Sequence, residues 1–171
     1  MLDFPRLRQF QTNDCGIAAI AGVLAYFGIN ERENQLIEMS GLTSDGLETV
    51  DVVRLLTVFG MNVDAGTMSI DDIKTAIDEG YPVILAIQAW ADDPNQVYTN
   101  DYADGHYVVA IGYDDERIIF QDSSSYEHTF LTPLELLDRW HDSDSGEPLK
   151  NWGCIVKGTP VFSSDAVVPM G

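Results

Sequence analysis

The chain reads as an α+β protein, on three observations. Between residues 15 and 80, apolar residues recur at helical spacing in segments closed by Gly28, Gly41, Gly60 and Gly80. From Pro82 onward the period shortens to that of strands. Helices therefore come first and strands joined by short turns follow, the order of an α+β domain. A length of 171 residues, 45% of them hydrophobic, suits one domain with a proper core. The expectation is a single domain over 1–171, helical over about 13–80 and sheet-forming over about 81–158. No internal repeat is visible.

The elements follow in order. The first dozen residues read as extended. Asn13 or Asp14 is placed to cap a helix over Cys15–Phe27 that Gly28 stops. Its apolar residues, Ile17, Ile20, Val23, Leu24 and Phe27 among them, cover most of the circumference, which marks a buried helix. Asn30-Glu31 opens a shorter helix to Gly41, with Leu36, Ile37 and Met39 expected inward. Thr49–Phe59 gives a third, and Met61–Ala65 a strand. Ser69-Ile70-Asp71-Asp72 caps a fourth helix that runs through Ile77. Pro82–Trp90 is a buried strand, and the polar run from Ala91 to Asp104 a long loop. His106–Tyr113 and Arg117–Gln121 are strands joined by a turn at Asp114–Glu116. Thr132-Pro133 starts a short helix to about Trp140. Trp152–Val156 is strand-like, and no clear period follows residue 159.

Charge narrows the range of partners. Nine basic residues against 28 acidic give a net charge of −19 and a pI near 4.1. Such a surface repels nucleic acid and anionic membranes, so neither is expected as a partner. It favours cationic peptides in encounter, although solubility, in a saline cytoplasm for instance, accounts for the acidity as well. No run approaches the roughly 18 uncharged apolar residues of a membrane span. No signal peptide opens the sequence, so it reads as cytoplasmic unless an export signal precedes it in the native protein. Cys15 and Cys154 form neither a disulfide framework nor a zinc pattern, and no metal or other cofactor is implied. Cys154, inside a strand-like apolar run, reads as a small buried hydrophobe.

Cys15 differs in its setting. A lone cysteine on an apolar helix is ordinarily inert. This one starts the helix, where free N–H groups and the macrodipole favour a thiolate. Asp14 beside it works against that thiolate unless it turns away as a cap. His106 opens a strand after Gly105 at the end of the long loop, and Asp122 ends the adjacent strand. The turn between those strands brings His106 and Asp122 together, as a carboxylate that fixes an imidazole tautomer requires. An aspartate that merely turns the chain is the plainer reading of Asp122. Gln9 or Gln11 is placed to offer a side-chain N–H to an oxyanion beside the Cys15 amide. Gln9, six residues before Cys15, leaves more room for the chain to loop back. His128 and His141 read as surface residues, and Tyr98, Tyr102 and Trp90 either line a cleft or pack.

Gln9-Phe10-Gln11-Thr12-Asn13-Asp14-Cys15-Gly16, then Gly105-His106-Tyr107-Val108-Val109, then Asp122, resembles the C39-type cysteine peptidases, papain-like domains that cleave leader peptides after a double glycine. The resemblance covers about residues 4–158. It implies a papain-like fold, with the nucleophile helix packed on an antiparallel sheet. It also implies a peptide or protein substrate, with Cys15 as nucleophile, His106 as base, Asp122 as orienting carboxylate and Gln9 as oxyanion donor. Asp122-Ser123 stands where family members often have Asp-Pro, and Gly-Ile-Ala-Ala follows Cys15 without the pattern of transporter-fused members. The same constellation also supports amidase or transpeptidase-type acyl transfer. A peptide-binding module without activity is a third reading, opposed by the presence of all four residues.

Overall fold

The computed structural model describes residues 1–170. Four helices and one strand come first: α1 (Cys15–Tyr26), α2 (Glu33–Ser40), α3 (Thr49–Val58), β1 (Asn62–Thr67) and α4 (Ile70–Asp78). Then follow β2 (Val83–Gln88), β3 (Gly105–Tyr113), β4 (Ile118–Gln121), β5 (Thr129–Leu131), α5 (Pro133–Arg139), β6 (His141–Asp144), β7 (Glu147–Lys150) and β8 (Trp152–Lys157). The α+β reading holds, and the helix boundaries lie within a few residues of the expected ones. α4 starts with a capping box in which Ser69 and Asp72 satisfy each other's backbone N–H groups, and Thr132 and Glu135 do the same for α5. Gly28 and Gly41 end their helices at φ of 84° and 78°, a conformation that favours glycine.

Six strands form one antiparallel sheet in the order β1-β8-β2-β3-β4-β5. The central strands are buried on both faces, so their sequences read as continuous apolar runs. Alternation along them still sorts two cores. Ile84, Ala86, Tyr107, Val109 and Ile111 face the layer built from α1, α2 and α3. Val83, Leu85, Ile87, Val108 and Ala110 face Ile73 and Ile77 of α4 and Leu136 of α5. Residues 13–80 therefore do not stay on one side of the sheet: β1 joins it as an edge strand, and α4 packs on the face opposite α1.

Some expectations are corrected. Met39 is exposed, because α2 buries only Leu36 and Ser40 fully. Trp90 lies beyond β2, with its backbone in the left-handed region at φ 65°. β5 and the β6–β7 hairpin arise where no strand was expected. β5, Thr-Phe-Leu, is too short to show a period, and the hairpin strands are short and rich in polar residues.

Candidate active site

Cys15 is the first residue of α1, buried but lining an open cleft of about 710 Å³. Gly16 is small for a packing reason: a Cβ there would come within 3.1 Å of the Tyr107 ring and 3.2 Å of Leu47. The Tyr107 hydroxyl in turn donates to the Leu47 carbonyl at 2.8 Å, tying β3 to the segment before α3. Helix start and strand start are thus held against each other.

His106, the second residue of β3, stands opposite Ile87 of β2 and so on the α4 face of the sheet. The β3–β4 register pairs Val109 with Gln121. Continued one residue, it would set Val108 against Asp122, so His106 and Asp122 meet as a diagonal pair, which a long ring spans. His106 Nε2 lies 2.8 Å from Asp122 Oδ1. Burial works against the charged imidazole. The Asp122 hydrogen bond and the adjacent Cys15 sulfur outweigh it, raising the His106 pKa to about 9. With Nε2 on Asp122, Nδ1 is the ring nitrogen left for the thiol.

Asp122 is one of the most thoroughly held groups in the site. Burial raises its pKa, but the His106 hydrogen bond and charge, the Ser124 N–H and the Trp90 indole bring it below the usual carboxylate range. Ser124 N donates to Oδ1 at 2.9 Å, Trp90 Nε1 to Oδ2 at 3.0 Å and the Thr129 hydroxyl to Oδ2 at 3.3 Å. Trp90 is a non-glycine residue at positive φ, and such strain persists where surrounding contacts over-determine it.

Gln9 lies beside the same turn. Its Oε1 accepts from the Ser123 and Ser124 hydroxyls at 2.7 and 3.1 Å, and its backbone N–H reaches the Ser123 carbonyl at 3.2 Å. Its Nε2 donates one hydrogen to the Gln11 carbonyl at 2.8 Å and keeps a second. Gln11 is exposed and contributes its backbone. Asp14 holds the N-cap position of α1 without capping it: its carboxylate turns back to accept from Gln11 N at 3.0 Å and Phe10 N at 3.3 Å. Asn13 instead reaches the Thr43 carbonyl.

The cleft holds residues that periodicity does not reveal. Asp45, Glu48, Asp142 and Asp144 line it, and among the described residues no lysine or arginine does. Asp142 accepts from Gln88 Nε2 at 3.1 Å and Ser143 N at 2.8 Å, and burial raises its pKa to about 6. A Cβ on Gly105 would sit 2.8 Å from this carboxylate, which explains glycine before His106. Thr49 bonds Asp144 and Ser145 bonds Glu48. His141 is buried rather than on the surface, its Nε2 2.6 Å from the Asp101 carbonyl and its ring on Tyr102. His128 is half-buried. Tyr98 braces the long loop by accepting from Ala91 N, with Arg139 over its ring. Cys154 is fully buried in β8, its thiol pushed up to about 12 by burial and then by Asp64.

A thiol on a helix start that packs against an antiparallel sheet defines the class: papain-like cysteine peptidases, which are hydrolases. Within that class the chain belongs to the Peptidase_C39 like family, whose model matches residues 1–141. A curated relative is the Pediocin PA-1 transport/processing ATP-binding protein PedD of Pediococcus acidilactici, 24% identical over 132 residues, 77% of this chain. The chain spans only 17% of that relative's length. Among solved structures, the peptidase domain of Streptococcus ComA, a bi-functional ABC transporter involved in a quorum sensing pathway, matches with a TM-score of 0.68 at 18% identity, over 93% of this chain and 100% of that one. A double glycine motif protease from an AMS/PCAT transporter, in complex with its leader peptide, matches with a TM-score of 0.64 at 18% identity, covering 91% and 92% of the two chains. At these identities the structures speak for the fold. Among the described residues, no helix is long and apolar enough to cross a membrane.

Proposed function

We propose that this peptidase hydrolyses peptide bonds through Cys15, His106 and Asp122, with Gln9 and the Cys15 backbone N–H as the oxyanion site. What supports this reading is the His106–Asp122 pair, Nε2 2.8 Å from Oδ1, and a His106 pKa raised by Asp122 and, after it, by Cys15. His106 takes the thiol proton, and Asp122 stabilises the imidazolium and fixes its tautomer. The thiolate attacks the substrate carbonyl. The oxygen of the tetrahedral intermediate accepts from the Cys15 amide, one of the unpaired N–H groups of a helix start, and from the free Gln9 Nε2 hydrogen. His106 protonates the leaving amine, then removes a proton from water to release the acyl group. Four carboxylates and no cation along the cleft favour peptides with basic side chains in encounter.

The test is cleavage of a diverse peptide library with product masses read. Products gaining water mark hydrolysis, and products gaining an amine mark acyl transfer. Cys15→Ala is expected to abolish turnover while keeping the fold. Full activity in that variant would remove Cys15 from the mechanism.

A further inference from the structure

Directly behind the nucleophile lies a second pair of acids that the mechanism does not use. Asp14 is fully buried. Its Oδ2 accepts from Phe10 N and Gln11 N and so clamps the segment carrying Gln9 to the start of α1. Its Oδ1 is buried and receives no donor. Oε1 of Glu33, the first residue of α2, is also buried and also receives none. Both residues line one cavity of about 590 Å³, walled by Leu7, Ala18 and Ile37.

Two buried acceptors without donors are costly if both acids are ionised. A single proton between them supplies the missing donor to both. We infer that Glu33 is a positioning residue for the nucleophile: it shares one proton with Asp14, and that proton keeps the Asp14 clamp at a single negative charge beside Cys15. This rests on Cys15 being the nucleophile.

The surroundings agree. Burial, then the hydrogen bond and charge of Asp14, raise Glu33 to about 7. The α2 dipole works the other way at this position, since a helix start favours an anion. The other charged groups facing the pair are Arg8 from the N-terminal segment, Glu31 from the loop before α2 and Arg32 at its cap. None of these makes an ion pair with either acid among the described residues. When the proton leaves, the pair carries a second negative charge, beside Asp14, the chain neighbour of Cys15. The thiolate is then disfavoured, and the repelled carboxylates loosen the clamp.

The test follows alkylation of Cys15 by iodoacetamide against pH, in the wild-type chain and in Glu33→Gln, whose amide keeps a donor for Asp14 and cannot ionise. The ratio of the variant's rate to the wild-type rate is expected to rise roughly three- to tenfold between about pH 6 and about pH 8. A ratio constant across that range overturns the proposal. Asp14→Asn, which also breaks the shared proton, is the second arm. Infrared difference spectra supply a readout independent of the thiol: a protonated carboxyl band that titrates near neutral pH in the wild type and is missing in Glu33→Gln is expected, and its absence from the wild type counts against the pair. Because neither measurement uses a peptide, failure of peptide cleavage and failure of the shared proton are told apart.

Discussion

The two cysteines of this chain are both buried, yet they occupy opposite chemical worlds. Cys154 sits mid-strand in β8, between Ala65 of β1 and Ile84 of β2. Its charged neighbour is Asp64, which adds to burial in holding the thiol protonated. Cys15 sits where a helix begins, beside an imidazole whose charge it helps to sustain, and it opens on a cleft. Burial alone does not decide what a thiol does. Its place on the element and the sign of its neighbour decide.

The sharpest way to break this comparison is to exchange the fates of the two thiols. Iodoacetamide is expected to modify Cys15 in the native protein and to reach Cys154 only after denaturation. Cys15→Ala should lose at least about a thousandfold in kcat. Cys154→Ala should keep turnover and lose about 1–2 kcal/mol of stability, measured by urea unfolding. Equal labelling of both would mean that the cleft and the helix start do nothing for Cys15.

A smaller effect is expected at Asp122. Asp122→Ala should lower kcat/KM by about a hundred- to ten-thousandfold and shift its pH profile. The His106 pKa lies above its ordinary 6.5, at about 9, so the stabilisation of the imidazolium is fully present below about 6.5 and is lost as pH rises through about 9. Wild-type activity should therefore fall on the alkaline side near pH 9, and the limb should move to lower pH in the variant. A limb that stays in place would show that Asp122 does not hold the charge. The smallest change is Trp90→Phe, which removes one of several donors to Asp122 and should cost roughly three- to thirtyfold in kcat/KM.

Legibility of the molecule from its sequence divides along similar lines. α1 and the β3–β4 pair were readable because their apolar periods are long and their breakers are glycines and short turns. The neighbourhood of His106 and Asp122 followed from that pairing, although as a diagonal contact. β5 and the β6–β7 hairpin were not readable: strands of three or four residues are too short to show a period. With the hairpin went Asp142, which meets Gly105 only through tertiary folding. The behaviour of Asp14 was half legible. Its position is that of a cap, but three and four residues upstream the chain offers amides that outcompete the helix for its carboxylate. Glu33 gave no signal, because Asp14, with which it lines a cavity, lies at the start of a different helix.

The strand order has a consequence in time. β8 lies between β1 and β2, so β1 has no strand to pair with until the chain has been made as far as residue 157. Everything between β1 and β8, residues 68–151, must therefore be made before β1 is joined to the rest of the sheet. Contacts so distant in sequence form slowly. Until then Cys15, at the start of α1, has no finished sheet behind it, a delay written into the topology.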